Sequence, residues 1–321
     1  VPEEETDRDR KFMDETATLI RKAVPKRLSA PVSRARKVLV LSRGSYGLLH
    51  VPGIAGALVL FRECAERFDG YTFKELFSDD TIDAEMLAGY DAVVLNNTGM
   101  VPKGREEVYN ELLPEYVRKG GGLVALHAAA LLGIDHPDWE YNRMLGAYVL
   151  RARVHPKRHD QPFPVRLPER AHPLAAAFHD SPVETERVHR WLDHGVRRKY
   201  DVKFRAPLEF ADELYVFGEL SNRDRAVRPI LAIDTARLEE DIFPGNGGPL
   251  NPALNWVQRY GEGRVFYTQF GHCMAVYSVP ALARAILDGL QYATGDLQAD
   301  DRPLREADDD SAVTPRVDGF A

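Results

Sequence analysis

Cysteine is scarce in this chain: only Cys64 and Cys273 stand among 321 residues, too few for a disulfide framework or a zinc–thiolate site. Cys64 falls inside a helical pattern and reads as a small core residue, while Cys273 follows Gly271-His272. Long apolar runs are missing too, which excludes a helical membrane span. A basic surplus is also lacking. The formal net charge is −7 with both signs interspersed, which argues against nucleic acid or an anionic membrane as partner. The basic stretch from Arg151 to Arg158 reads as a solvated face. There is no helical His-Glu-x-x-His pattern and no internal repeat. Gly261-Glu262-Gly263-Arg264 turns into a strand rather than a helix, so it is not a phosphate loop, and no nucleotide cofactor is expected. No signal-peptide pattern is visible. The expected compartment is the cytoplasm, with the periplasm left open because the chain starts at Val1 rather than methionine.

What is present is an ordinary globular composition, 44% hydrophobic and 28% charged, in one large domain or two. Residues 1–35 form a polar arm whose Phe12, Met13, Ala17, Leu19 and Ile20 are spaced as one helical stripe, expected to pack on the body or on a second subunit. Between residues 36 and 295 strand and helix signals alternate. Val38-Leu39-Val40-Leu41, Tyr71 to Phe77, Asp91 to Asn97 and Gly122 to Leu126 read as strands. The helices between them include one led by Pro52 and one carrying Val108, Leu112, Tyr116 and Val117 that ends at Gly120. Four such steps predict an α/β fold with a doubly wound, mainly parallel sheet. An irregular, β-containing excursion is expected over about 135–225, where seven of the ten histidines lie. Strand signals return at Ile230 to Ile233 and at Arg264 to Phe270, and a helix carries Leu282, Ile286 and Leu290. Residues 296–321 read as a loosely ordered acidic tail.

The chemistry-bearing residues lie at strand ends. The run Gly120-Gly121-Gly122-Leu123-Val124-Ala125-Leu126 stops at His127 and continues with Ala128-Ala129. Open α/β sheets bind ligands at the carboxyl ends of their strands. An imidazole there suits proton transfer or metal ligation, the alternative being a histidine hydrogen-bonded in the core. His272 ends a second strand, and His50 follows the first strand just ahead of the proline-led helix. Loops at the carboxyl ends of adjacent strands converge, so these imidazoles are expected to share one crevice. Asp212-Glu213-Leu214-Tyr215 offers two carboxylates beside a tyrosine, or else a solvated face; His155 is a fourth ligand or a substrate contact. Histidines with one carboxylate suit a divalent transition metal, zinc or manganese by ligand type. The same residues can act without metal, with His127 as a base oriented by an acid.

These segments resemble the ThuA-like, or trehalose-utilisation, family. The resemblance rests on the strand ending in His127-Ala128-Ala129, on Leu145-Gly146-Ala147-Tyr148 leading to His155, on His172-Pro173-Leu174, on Asp212-Glu213-Leu214-Tyr215, and on Tyr260-Gly261-Glu262-Gly263-Arg264-Val265-Phe266-Tyr267 ending in Gly271-His272. The last is the most specific. The resemblance implies a flavodoxin-like fold related to class I glutamine amidotransferases, in which the strand-end elbow holds a catalytic cysteine. His127 stands there in this chain, which argues against glutamine hydrolysis by a thiolate. The resemblance carries the family's motif positions onto His127, His155, Glu213 and His272, and its histidine after the first strand onto His50. Residues Asp241 to Pro252 read as an extra loop near the site, one that sets specificity.

With the sugar context that the resemblance implies, the expected function is that of a carbohydrate-processing enzyme acting on a sugar or keto-sugar. His127, His272 and Glu213 are the expected catalytic residues, and His50, Arg153, His155, Asp212 and Tyr215 the substrate contacts. His127, His155, Glu213 and His272 are the expected ligands if zinc or manganese is held. Proton abstraction beside a carbonyl, giving isomerisation or elimination, is preferred, with hydrolysis next. A homo-oligomer is expected. The competing readings are a non-catalytic carbohydrate-binding or assembly protein, and an amidotransferase-like subunit that works through partner contacts of its N-terminal arm.

Overall fold

A computed structural model describes residues 3–43, 50–155, 161–181, 184–192, 199–217, 227–238 and 253–304. The expected extra loop at 241–252 and the end of the acidic tail lie outside these residues. Strands β1 (Arg36–Ser42), β2 (Tyr71–Leu76), β3 (Ala92–Asn96) and β4 (Gly122–Leu126) alternate with helices α2 (Val51–Arg67), α3 (Ala84–Ala88) and α4 (Leu113–Arg118). Every residue of β3 and β4 is buried. That is the burial expected of parallel strands covered on both faces. Pro52 opens α2, where a missing N–H costs no helical bond, whereas Pro114 lies where a π-helical turn, Val108–Leu112, runs on into α4. Asp83 caps α3 by accepting the Met86 N–H at 2.7 Å.

The chain then makes α5 (Glu140–Leu145), β5 (Val149–His155), β6 (Phe163–Arg166), α6 (Ala176–His179), β7 (Glu184–Leu192), β8 (Lys199–Ala206), β9 (Glu209–Phe210) and β10 (Leu214–Phe217). It closes with β11 (Arg228–Ile233), β12 (Ala253–Tyr260), β13 (Gly263–Thr268) and α7 (Pro280–Ala293). The main sheet runs β2-β1-β3-β4-β13-β12-β11-β6-β9, while β5 pairs with β10 and β7 with β8. The first five strands are mutually parallel, and the pairings beyond β13 are antiparallel. The sheet is therefore mixed: doubly wound on one side and extended on the other by β12, β11 and two short strands from the excursion. β12 carries no clean alternation because its residues from Ala253 to Gln258 are all buried, so its sequence reads as core rather than strand.

Two apolar clusters cover the faces of the sheet. One joins α1 (Glu3–Ala23), α2 and α7 to Val38, Val40, Val94, Val124 and Phe266. The other joins α4 and α5 to Leu39, Leu41, Val93, Leu95, Leu123 and Trp256. The α1 arm lies on the body of its own chain through Ala17, Ile20 and Ala23; Leu19, expected in the same stripe, is 40% exposed. Register carries the fold to the site. Ser42 pairs with Asn96, Asn96 with Leu126, and Leu126 with Thr268. The next residues, Arg43, Asn97, His127 and Gln269, thus form a row along the carboxyl lip.

Candidate functional site

At the end of β4 the chain turns at once. Leu126 is extended (φ −110°, ψ 125°), whereas His127 has φ 46° and opens a 3-10 turn through Gly133. Asn97 at the end of β3 has φ 54°, and His50 at the start of α2 has φ 66°. A non-glycine residue in this left-handed region costs about 1–3 kcal/mol and persists where its surroundings over-determine it. At His127 the turn is tolerated because Ala128, Ala129 and Ala130 follow, all fully buried. The result is a strand–turn–helix elbow that aims one side chain over the lip of the sheet.

Three imidazoles and one carboxylate meet there. Glu213 Oε2 lies 2.9 Å from His127 Nε2, 3.0 Å from His272 Nδ1 and 3.4 Å from His50 Nε2. The donor atoms of His50, His127, Glu213 and His272 all lie within 4.8 Å of one another, and all four residues are buried. The ring centroids are 4.9 to 5.4 Å apart and the rings stand edge to face, so the nitrogens rather than the ring faces converge.

The elements behind the site fix these orientations. His127 Nδ1 is 2.6 Å from the main-chain carbonyl of Gln269. A carbonyl can only accept, so Nδ1 carries the hydrogen and Nε2 is the bare nitrogen facing Glu213. Gln269 also accepts the Tyr215 N–H through Oε1 at 2.9 Å and donates to Ala253 O at 2.9 Å. Asp212 is wholly buried and accepts the N–H groups of Gly271 at 2.7 Å and His272 at 3.2 Å, which pins the strand end bearing His272. The start of α2, carrying His50, lies against the same peptide: a Cβ on Gly53 would sit 2.0 Å from Gly271 O.

Burial pushes the His50 imidazole down to about 4, against the pull of Glu213, and lowers His127 as well. Both are therefore neutral at physiological pH, with lone pairs available. Burial also opposes charge on Glu213, but its closeness to His272, with His127 and His50 beside it, holds its carboxyl well below the ordinary range. Burial raises Asp212 to about 6, against His272 and the N–H groups it accepts. It also takes the Tyr215 phenol well above its usual range, helped by Glu213.

The structure thus gathers His50, His127, His272 and Glu213, with Tyr215 beside them. His50, expected as a substrate contact, stands among the four convergent donors. Asp212, expected in the same role, faces backbone amides. Arg153 and His155 lie on β5, where the backbone of His155 pairs with Leu214, but their side chains fall outside the described residues. Sequence reasoning missed Gln269 and also Asn97, whose Nδ2 donates to Gly271 O at 3.2 Å. Gln269 stands inside the run Arg264 to Phe270, and it orients His127 through a main-chain carbonyl that residue type does not signal.

The donor set fits a divalent metal. Imidazole nitrogens and a carboxylate oxygen face one another within one small space, the donor types that a divalent cation takes. The bond from His127 Nδ1–H to a carbonyl is the outer support that metal-binding histidines use.

The comparisons with known proteins agree with this fold. The model of the ThuA family, described as trehalose utilisation, matches residues 37–293. A ThuA-like protein from Bacteroides uniformis is similar at 18% identity, covering 79% of this chain and 93% of its own, with a TM-score of 0.53. One from Parabacteroides merdae is similar at 17% identity, covering 89% of this chain and 99% of its own, with a TM-score of 0.51. No curated protein matches.

Proposed function

The chain belongs to the ThuA, or trehalose-utilisation, family, and from that premise we propose that it is a metal-dependent enzyme acting on a sugar or keto-sugar. The observation that carries this reading is the convergence of His50, His127, Glu213 and His272 on one buried point at the carboxyl lip of the sheet. The family places the chain in a carbohydrate context; the donor set adds the chemistry.

Zinc or manganese held there would supply Lewis-acid polarisation of a sugar carbonyl or hydroxyl oxygen. The protein's own groups do the remaining work. Gln269 O fixes the His127 tautomer and Asp212 holds the strand end of His272. Both imidazoles thus stay aimed at Glu213 without reorganising. The buried surround excludes water and strengthens each electrostatic contact. Polarisation beside a carbonyl acidifies the neighbouring C–H, which favours proton abstraction, and hence isomerisation or elimination, with hydrolysis as the second reaction.

The test is turnover of trehalose, glucose and their 3-keto derivatives by metal-loaded protein, alongside Glu213→Gln. Turnover of one of these that falls at least a hundredfold in Glu213→Gln supports the enzyme. Sugar binding that survives Glu213→Gln, with no turnover by either protein, supports a carbohydrate-binding protein instead.

A further inference from the structure

Tyr215 lies in β10, two residues beyond Glu213, and is 2% exposed. Its ring stacks on that of His127, with centroids 4.7 Å apart and planes 26° apart. Its hydroxyl is 2.9 Å from His127 Nε2 and 3.5 Å from His50 Nε2. Gln269 Oε1 anchors its main chain from behind.

Because His127 Nδ1 spends its hydrogen on Gln269 O, Nε2 is an acceptor and the phenol O–H donates to it. An imidazole nitrogen has a single in-plane lone pair. It receives the phenol hydrogen or it binds a cation, never both. The hydroxyl's other partners, His50 Nε2 and the Glu213 carboxylate, belong to the same donor set. Ion binding therefore takes the His127 lone pair and engages these other partners at the same time, and the stacked ring keeps the O–H inside the site.

We propose that Tyr215 is the site's built-in hydrogen-bond donor to a sugar oxygen, parked on His127 Nε2 while that nitrogen is uncoordinated and released into the site when a divalent cation takes the lone pair. The proposal rests on the metal reading above. It makes Tyr215 a neutral donor that grips a carbonyl or hydroxyl oxygen of the substrate, and not a metal ligand.

The test is calorimetric titration of the metal-free protein and of Tyr215→Phe with zinc chloride and with manganese chloride. The wild-type protein must give up one O–H···N bond to bind the ion and the variant need not. Tyr215→Phe is therefore expected to bind the ion roughly 2- to 12-fold more tightly. Zinc should also perturb a tyrosine band in the ultraviolet difference spectrum of the wild-type protein, and that signal should vanish in Tyr215→Phe. Equal or weaker ion binding by the variant overturns the proposal and leaves the metal reading standing. So does a wild-type spectrum with no tyrosine perturbation on zinc binding, a readout that needs no variant. Absence of ion binding by the wild-type protein overturns both.

Discussion

The main-chain carbonyl of Gln269 takes the Nδ1 hydrogen of His127 at 2.6 Å, so one peptide of β13's end decides which nitrogen of a β4-end imidazole faces the site. The same residue's side chain bridges the Tyr215 N–H and the Ala253 carbonyl. Gln269 is thus the common support of two site residues that reach the lip from different parts of the chain.

Replacing it with leucine keeps the volume and removes both side-chain bonds. The buried Tyr215 N–H then loses its Gln269 partner, at about 1–3 kcal/mol, and the Ala253 carbonyl loses one hydrogen bond. Gln269→Leu should lower the unfolding free energy by a few kcal/mol in denaturant titration. It should also weaken ion binding, although Gln269 touches no ion.

Gly53 admits no side chain. A Cβ there would lie 2.0 Å from Gly271 O and 2.8 Å from His272 O, both backbone atoms that cannot swing aside. Gly53→Ala should cost about 1–3 kcal/mol by overpacking. It should also push apart His50 and His272, so ion affinity falls with stability. Gly104→Ala is a useful contrast, because its added Cβ meets nothing within 4 Å. Its φ of 81° makes it a backbone-strain control that should leave ion affinity unchanged.

Asp288 on α7 is 2% exposed, and burial raises its carboxyl from 3.8 to about 6, against Ser29 and the Arg284 guanidinium 3.5 Å away. A raised carboxyl contributes its stability below its unfolded value and loses it as pH climbs through the folded one. The full difference corresponds to about 3 kcal/mol. Asp288→Asn should therefore match the wild-type protein near pH 4 and melt at a higher temperature at pH 8. Equal melting temperatures at pH 8 would count against this account of the helix.

A ligand that binds only the folded state raises its stability by about 2.7 kcal/mol at a hundredfold excess over Kd. Zinc or manganese should accordingly raise the melting temperature of the wild-type protein, and a chelator should reverse the rise. Glu213→Gln should lose most of the effect, because the carboxylate shared by all three imidazoles is gone.

Much of this site was legible in the amino-acid order because strand ends announce themselves. An apolar run that stops at His127, and another that stops at Gly271-His272, place two imidazoles at one lip once the strands are parallel neighbours. His50 ahead of Pro52 and the Asp-Glu-Leu-Tyr segment supplied the rest. What local pattern did not reveal was division of labour. Asp212 and Glu213 are adjacent, yet one faces backbone amides and the other faces the imidazoles, a difference set by chain path rather than by residue type. The antiparallel half of the sheet was hidden in part because β12 is buried through most of its length and lacks alternation. Gln269 escaped because its decisive group is a carbonyl that every residue possesses.

The central claim is that His50, His127, Glu213 and His272 hold one divalent cation. Elemental analysis of protein exposed to zinc and manganese, then dialysed, tests it most directly, with His127→Ala and Glu213→Ala handled in parallel. The account predicts a stoichiometric ion in the wild-type protein, lost from both variants while their circular dichroism stays native. A wild-type protein that retains no ion, or folded variants that retain it in full, would contradict it.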